Sequence, residues 1–226
     1  TGVATDVTNS SLMRLTTALD KQVDSAWVVG AATGGLDTGS VNNTTLITYH
    51  LHLIKRPDTG VVDAVYSTSV SAPVMPTNYT LRRRIGSFLH STVFYPFVQY
   101  DDRFMLQTMV NDVTATSGTT AAITVTLSVP SGINVIAEGA VEVIVSSAPG
   151  AILLISDLSE TDQAPTGSAF TIIGNNGGGG QTGAVWHCRT NTSAQVRTRK
   201  SVNGPGETTR INTRGWIDVR GKHGGV

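Results

Sequence analysis

Two histidines stand where their type and spacing could support metal chemistry. His50 and His52 lie two residues apart in a run of alternating apolar and polar residues, and residues two apart on a β-strand point to the same face. Two imidazoles on one face can bind zinc if a third ligand joins them. The other histidines are His90, His187 and His223, and nothing in the sequence places any of them near His50 and His52. Paired histidines on the polar face of a sheet are more often surface or interface groups, so we expect no metal and no cofactor.

The carboxylates, the serines and the single cysteine show no catalytic pattern. Asp101 and Asp102 are adjacent, so on a predicted strand they point to opposite faces and cannot form an acid/base pair. Cys188 directly follows His187, so these two also point apart, and no G-x-S-x-G motif occurs. We therefore predict no catalytic residues and no enzyme. A glycosidase would need a distant partner carboxylate, such as Glu138, Glu142 or Asp157.

Arginine side chains are the best candidates for contacts with a partner. In the run Arg82-Arg83-Arg84, the first and third residues share one face of a predicted strand. Such a face can pair with carboxylates at an interface or bind an anionic host glycan. More arginines lie on predicted strands near the end of the chain, and an arginine-rich sheet face suits docking of another subunit. The candidate interface or receptor contacts are Arg82, Arg84, Arg197, Arg199, Arg214 and Trp216.

Acidic and basic residues are separated along the chain, although its formal net charge is zero. Residues 100–162 carry one basic and eight acidic residues, a net charge of −7. Residues 163–226 carry eight basic and two acidic residues, a net charge of +6. These two regions can meet within one subunit or between copies. A net charge of zero argues against a general nucleic-acid binder.

The composition favours turn-rich β-structure and shows no membrane or disulfide signal. Charged residues make up 14% of the chain, below the usual ~25%, and 24 of the 226 residues are Gly. A single Cys excludes an intrachain disulfide. No apolar run approaches the ~20 residues of a membrane-spanning helix, and no signal-peptide pattern opens the chain. Since the first residue is Thr1, we expect a processed chain or part of a longer one.

The strongest structural pattern is a β-hairpin in the stretch 47–66. Ile47, Tyr49, Leu51 and Leu53 alternate with polar residues, which predicts a half-buried strand. Pro57-Asp58-Thr59-Gly60 supplies turn residues, and apolar residues then alternate again up to Tyr66. A third strand is predicted at Tyr79–Phe88. We expect Leu51 and Leu53 to be buried and to pair with the returning strand.

Short strands separated by turn signals fill the rest of the chain and predict an all-β fold. We expect an antiparallel β-sandwich, jelly-roll-like, with a short N-terminal arm and little helix. Residues 1–45 are interpreted as arm and loop, packed on the sheet or not, with a short helical turn at Leu19–Trp27. Residues 46–226 are the sandwich domain, with a sub-boundary placed near 107–120. Asn175–Gly183, which contains the glycine run 177–180, is predicted to be a flexible loop. The predicted strands are Phe97–Leu106, Ala121–Val129, Ile133–Val145 with a bulge at Glu138-Gly139, Ala151–Ser156, Val185–Thr190, Gln195–Val202, Thr208–Asn212 and Gly215–Val219.

Several stretches of the chain resemble structural proteins of tailed bacteriophages and prophages. They are HLIKRPDTGVVDAVYSTS, MPTNYTLRRRIGS, SLMRLTTALDKQVDSAWVVGAATGGLDTGS and the pair VRTRKS and TRGWIDVRG. The resemblance covers most of the chain but includes no catalytic motif. It implies a non-enzymatic virion protein, of tail-fibre or spike type or of head-fibre or decoration type, acting in virion assembly or host attachment.

The resemblance also implies partners and a location. We expect a homo-oligomer, with a trimer favoured by how such assemblies close. The other partners implied are virion proteins and, in host attachment, a host surface glycan. The location implied is the virion. The alternative function is a glycan-binding or glycan-degrading domain of a phage tail, and a metal-dependent enzyme using His50 and His52 is the third hypothesis.

Overall fold

A computed structural model describes residues 2–41, 44–116, 120–145, 150–174, 180–202 and 207–220. The chain forms two compact units, Thr1–Tyr95 and Pro96–Val226. The described residues form strands, turns and loops without any helix, which confirms the all-β prediction. The units meet at 95/96, whereas the sequence predicted a division at 45/46 with a sub-boundary near 107–120. None of the described residues forms a helix long and apolar enough to span a membrane.

The first unit contains seven described strands in two sheets. β1 and β2 form a two-stranded antiparallel sheet, and the other five form a sheet in the order β3-β4-β6-β5-β7. Because β3 and β4 belong to the same sheet as β5, residues before 45 are part of this unit rather than a separate arm. The strands are β1 (Gly2–Thr5), β2 (Leu12–Leu15), β3 (Lys21–Ala26), β4 (Thr33–Leu36), β5 (Ile47–Lys55), β6 (Val62–Ser67) and β7 (Leu81–His90).

The helical turn predicted at Leu19–Trp27 is wrong. Residues of β3 alternate between half-buried and exposed, with a period of two, and β3 pairs in parallel with β4. The leucines that suggested helical spacing are divided between β2 and the turn that follows it. The helical spacing of these residues does not determine the structure here, because β3 pairs with β4, which lies further along the chain.

The hairpin of β5 and β6 is confirmed and forms the centre of the first unit. Leu53 pairs with Ala64, and Leu51 pairs with Tyr66. In the turn, Gly60 has a φ of 75° and donates its N–H to the carbonyl of Arg56 at 2.8 Å, a conformation that glycine adopts without strain. Leu53 is buried as predicted, whereas Leu51 is only half-buried.

Both faces of β5 are buried, which the sequence did not predict. His50 and His52, expected on a polar surface, are each only 1% exposed. Ile54 continues their face of the strand and packs with Val65 and Tyr79 in a buried cluster. A strand with alternating polarity is therefore covered on its polar side as well.

A buried ion pair lies on the covered face of this sheet. Lys21 Nζ lies 3.0 Å from Asp63 Oδ1, and both side chains are 1% exposed. Asp63 also accepts hydrogen bonds from the N–H groups of Gly30 and Ala64, and Lys21 donates to the carbonyl of Val28. These bonds satisfy both charges, and they hold the loop after β3 against β6.

The first residues form a hairpin that is fastened to the sheet. Asp6 accepts the N–H groups of Ser10 and Ser11 at 2.8 and 2.7 Å and closes the turn between β1 and β2. The hydroxyl of Thr8 and these backbone donors hold the pKa of Asp6 well below its ordinary value. Arg83 on β7 donates to the carbonyl of Asp6 at 2.7 Å, so the hairpin is tied to the five-stranded sheet.

The second unit contains nine described strands in two sheets. One sheet has the order β14-β11-β16-β9-β8 and the other has the order β10-β15-β12-β13, with antiparallel pairing throughout. The strands are β8 (Phe97–Tyr100), β9 (Arg103–Thr116), β10 (Ile123–Thr126), β11 (Ile136–Val145), β12 (Ile152–Ser156), β13 (Ile172–Ile173), β14 (Gly180–Arg189), β15 (Gln195–Lys200) and β16 (Thr208–Ile217). Of the loop predicted at residues 175–183, residues 175–179 lie outside the described residues. The prediction is wrong for residues 180–183, because they belong to β14 and pair with β11.

The eight strands β9 to β16 pair in a nested order. The first pairs with the last, the second with the seventh, the third with the sixth and the fourth with the fifth: β9 with β16, β10 with β15, β11 with β14, and β12 with β13. Two further pairings, β11 with β16 and β12 with β15, join these pairs into the two sheets. The two sheets pack face to face as a β-sandwich.

Alternating apolar side chains form the core of the second unit. On β11, residues 137, 141, 143 and 145 are buried, and the residues between them are more exposed except Gly139. On the strands of the other sheet, Val125, Leu153 and Val196 are buried as well. Trp216 is completely buried and stacks on Phe104 with ring centroids 5.4 Å apart.

Two strand predictions need correction in the second unit. Phe97–Leu106, predicted as one strand, is a hairpin of β8 and β9 that turns at Asp101, whose φ is 52°. The two strands predicted at 208–212 and 215–219 are one strand, β16, which is irregular near Arg214. The irregularity predicted at Glu138-Gly139 is confirmed, because the register of β11 against β16 shifts there.

The buried ion pair gives a stability prediction. Asp63→Ala should lower the free energy of unfolding by about 3–5 kcal/mol, because it leaves the buried Lys21 ammonium without its counter-charge. Urea unfolding would measure this loss. The double variant Lys21→Met with Asp63→Leu should recover most of it, and Asp58→Ala, which breaks the exposed pair with Arg56, should leave unfolding unchanged. A stable Asp63→Ala protein would contradict the assignment.

Candidate functional site

The histidine pair is held by internal hydrogen bonds. His50 Nδ1 lies 2.8 Å from Ser87 Oγ, and His52 Nε2 lies 3.0 Å from the carbonyl of Ser69. Burial, with smaller contributions from Arg84 and Arg82, lowers the pKa of His52 below its ordinary value. His52 is therefore a neutral buried imidazole that donates to a backbone carbonyl. Its Nδ1 has no hydrogen-bond partner among the described residues.

Among the described residues, no other histidine completes a metal site with this pair. His90 pairs with Ile47, one residue out of phase with His50, and so lies on the opposite face of the sheet. His187 lies on β14 in the second unit, and His223 lies outside the described residues. Among the residues described, no group of three or more His, Cys, Asp or Glu is placed to hold a metal ion. The absence of a metal remains a prediction.

The arginines of β7 are half-buried and contact their own unit. Arg82 Nε donates to the carbonyl of Ser71 at 2.8 Å, and Arg84 donates to Ser87 Oγ at 3.1 Å. Their neighbour Arg83 fastens the N-terminal hairpin, as described above. The contacts seen for Arg82 and Arg84 are thus structural, and binding of an external anion there would compete with them.

The arginines of β15 fasten an acidic loop of the same unit. Arg197 donates to the carbonyl of Glu160 at 2.8 Å, and Arg199 lies 2.8 Å from Asp162. Arg189 lies 3.1 Å from Asp157. The pKa of Asp157 is below its ordinary value, since burial raises it but the N–H of Ser159 and the Arg189 guanidinium lower it more.

The acidic and basic regions therefore meet within one subunit. Besides the pairs on β15, Arg210 pairs with Glu142 and Arg220 pairs with Asp102. Each pair joins a carboxylate of residues 100–162 to an arginine of residues 163–226. Of the two arrangements that the sequence left open, the intrachain one is present.

Two further residues considered in the sequence analysis, Trp216 and Cys188, are withdrawn from solvent to different degrees. Trp216, a predicted interface or receptor contact, is completely buried and is a core residue of the second unit. Cys188 is half-buried, and burial, with Asp157 and Glu160, raises the pKa of its thiol to about 12. A thiol with this pKa is protonated at neutral pH and is a poor nucleophile.

A groove lies on the outer face of the five-stranded sheet of the second unit, β14-β11-β16-β9-β8. Its volume is about 860 Å³, within the range of ligand-binding clefts. Glu138, His187 and Val185 lie on strand positions that alternate with the buried ones, which places them on the side away from the core. We call this the outer groove. Its principal lining residues are Arg103, Gln107, Glu138, Val185, His187 and Arg214.

The outer groove follows an irregularity in the central strand β16. Towards β11, Glu138 pairs with Gly215 and Gly139 pairs with Thr213, so Arg214 is skipped. Towards β9, Thr213 pairs with Val110 and Gly215 pairs with Met105, so Arg214 lies opposite four residues of β9, 106–109, that have no partner on β16. A bulge of this kind re-aims the side chain of the extra residue.

Two glycines keep the backbone of the bulge in place. A Cβ on Gly139 would lie 1.9 Å from the carbonyl oxygen of Asn212, and one on Gly215 would lie 2.2 Å from the carbonyl oxygen of Phe104. Both distances are far below van der Waals contact, so the sheet needs glycine at both positions. The sequence predicted the irregularity at Glu138-Gly139, and it predicted Arg214 as a contact residue. It did not predict that residues 106–109 form one wall of the outer groove.

Comparisons of the chain with protein-family models, with curated proteins and with solved structures found no match. The resemblance to phage structural proteins therefore stays an expectation.

The close approach at Gly139 gives a second prediction. Gly139→Ala should destabilise the second unit by about 1–3 kcal/mol, because the new methyl group overlaps the backbone of β16. Gly183→Ala is the matched control, since its Cβ would meet only the carbonyl of Val141 at an ordinary 3.7 Å. Thermal unfolding of both variants measures the difference. Equal stability of the two would contradict the described register.

The buried imidazole gives a third prediction, on pH dependence. Because the pKa of His52 is lowered in the folded state, the unfolded chain binds the proton more tightly. The stabilisation is present above about pH 6.5 and is lost as the pH falls towards the folded pKa, by at most ~1.4 kcal/mol per pH unit. Urea unfolding at pH 7.5 and 5.5 should show a smaller loss for His52→Gln than for the parent protein. An identical loss in both would contradict this role of His52.

Proposed function

We propose that this chain is a non-enzymatic structural protein of a tailed-bacteriophage particle. It is a component of a tail fibre or spike, or of a head fibre or decoration, and it acts in particle assembly or host attachment. The observation that carries the proposal is the nested pairing of β9 to β16. The resemblance of the sequence to phage structural proteins supports it independently.

Nested pairing supports a jelly-roll topology for the second unit. A jelly roll contains eight strands in two sheets and arises when a long antiparallel ribbon is wound on itself, so that first and last strands pair. Here β14-β11-β16-β9 and β13-β12-β15-β10 would be its two sheets, with β8 as an added edge strand. Jelly rolls occur in viral capsid proteins, lectin domains and cupins. This distribution agrees with a virion role and with the glycan-binding alternative.

The architecture alone does not define a function, because one fold supports many. Ion pairs within the second unit also support the proposal, because a component of a particle must keep its shape. The arginines of β15 and β16 hold the acidic loop and β11, so the sandwich is cross-linked by charge across strands distant in sequence. A domain of this kind keeps its shape without a ligand.

Assembly as a homotrimer is part of the proposal, but the contact surface differs from the arginine-rich one predicted from sequence. Arg197 and Arg199 are engaged within the unit. The edge strand β8 carries exposed apolar side chains instead, with Tyr100 66% exposed and Val98 43% exposed. Edge strands with exposed aromatic and aliphatic groups suit contacts between protein subunits.

The proposed function can be tested on particles. Phage particles released by the host that carries this coding sequence would be purified on a density gradient and analysed by mass spectrometry. We expect peptides of this chain in the particle fraction, at a constant ratio to the major capsid protein. Recovery of the chain only from the soluble fraction would refute the proposal.

Self-assembly gives a fourth prediction. Light scattering of the purified chain at micromolar concentration should give three times 23.7 kDa. High salt should change this little, because the ion pairs lie within the subunit and the contact is apolar. Tyr100→Glu should lower the mass, because it places a charge on the apolar edge, whereas Val185→Glu on the opposite edge strand β14 should leave the mass unchanged. A folded monomer would refute self-assembly of this segment.

A further inference from the structure

We infer that the outer groove binds an acidic saccharide, whose carboxylate is held by Arg214. This inference rests on the proposed function, since it names the host component that a particle protein of this kind would contact. It is carried by the geometry of the bulge, by the charge of the groove and by the mixture of polar and apolar groups along it.

Arg214 is presented by the bulge as an exposed side chain. It has no cross-strand partner on either side of β16, because the register shifts at this residue against both β11 and β9. It lines the groove, and the glycines at 139 and 215 fix the backbone that supports it. A central strand of a sheet loses two regular pairings at this residue. Such irregularities recur beside binding sites, where they direct a side chain to a ligand.

The groove carries unused positive charge at Arg214. Arg103 Nε lies 2.7 Å from Glu138 Oε2, so those two charges neutralise each other. Within the part of the chain that the structure describes, Arg214 makes no ion pair and no hydrogen bond. Its guanidinium can hold a carboxylate through two parallel N–H···O bonds. The side chain of His187 lies on the same face and can add a further donor.

The remaining lining fits a sugar better than a purely anionic ligand. Gln107 and Thr108 can both donate and accept, and Glu138 retains acceptor capacity, as the hydroxyl groups of a sugar require. Val185 and Ala140 pair across β14 and β11 and give an apolar strip for the C–H face of a ring. A polyphosphate would meet the Glu138 carboxylate without gaining from this strip.

Binding of defined saccharides to the full chain tests the inference. Isothermal titration calorimetry would compare trigalacturonic acid and 3′-sialyllactose with the neutral sugars maltotriose and lactose. At least one acidic sugar should bind at least ten times more tightly than its neutral counterpart. Arg214→Gln should weaken that binding about 10- to 100-fold, because it removes a charge-assisted bidentate contact. Arg210→Gln, four residues away on the same strand and paired with Glu142, should bind as the parent does.

Several outcomes would overturn the inference. They are an absence of binding of both acidic sugars at millimolar concentration, binding that Arg214→Gln leaves intact, and equal loss in both arginine variants. Competition by a glutamate-rich peptide at the same affinity would identify an acidic peptide as the ligand instead. If neither acidic sugar binds, the chain should still be found in purified particles. If the chain is missing from the particles, the virion role is refuted even when a sugar binds.

Discussion

The second unit depends on one constraint, which is the pairing of β9, its first long strand, with β16, its last strand. β9 and β16 are separated by about ninety residues of chain, yet they form neighbouring strands of one sheet. The strands between them pair inside this closure: β11 and β14 join β9 and β16 in one sheet, and β10, β12, β13 and β15 form the other. The buried apolar side chains of both sheets form the core. A change that weakens the outer pair would therefore affect every inner one.

Charge is distributed so that each region of the sequence is balanced by a distant one. The acidic loop near Asp162 is held by β15, and Glu142 of β11 is held by Arg210 of β16. These pairs are partly exposed, and exposed ion pairs each contribute little to stability. Their importance lies in register, because a strand shifted by one residue would separate the partners. The exposed Arg214 stands out against this pattern of internal pairing.

The sequence predicted what depends on local alternation and turn residues. Leu53, Ala64 and the turn at Gly60 were placed correctly, because the period of two and the turn residues lie within twenty positions of one another. The burial of His50 and His52 was not predicted, since the cover over that face comes from other segments, through residues such as Trp27 and Tyr79.

The outer groove was harder to foresee than the hairpin. Glu138-Gly139 indicated an irregularity, and Arg214 was chosen as a contact. Their meeting, however, depends on the register of three strands that are far apart in the chain. The ion pairs between the acidic and the basic region of one subunit likewise depend on the nested pairing of the strands. The composition of the chain does not reveal that pairing. Strand periodicity says which residues share a face, but not which strands become neighbours.

The position of β16 at the middle of its sheet has a consequence for synthesis on the ribosome. Both β11 and β9 pair with it, so until residues 208–217 have emerged the growing chain holds two separate fragments of that sheet, each with an open edge. Completion of the sheet must therefore wait for nearly the last part of this segment to be translated. A product that ends before residue 208 would lack the central strand and would be left to proteolysis or aggregation. Only chains that include β16 can complete this sheet.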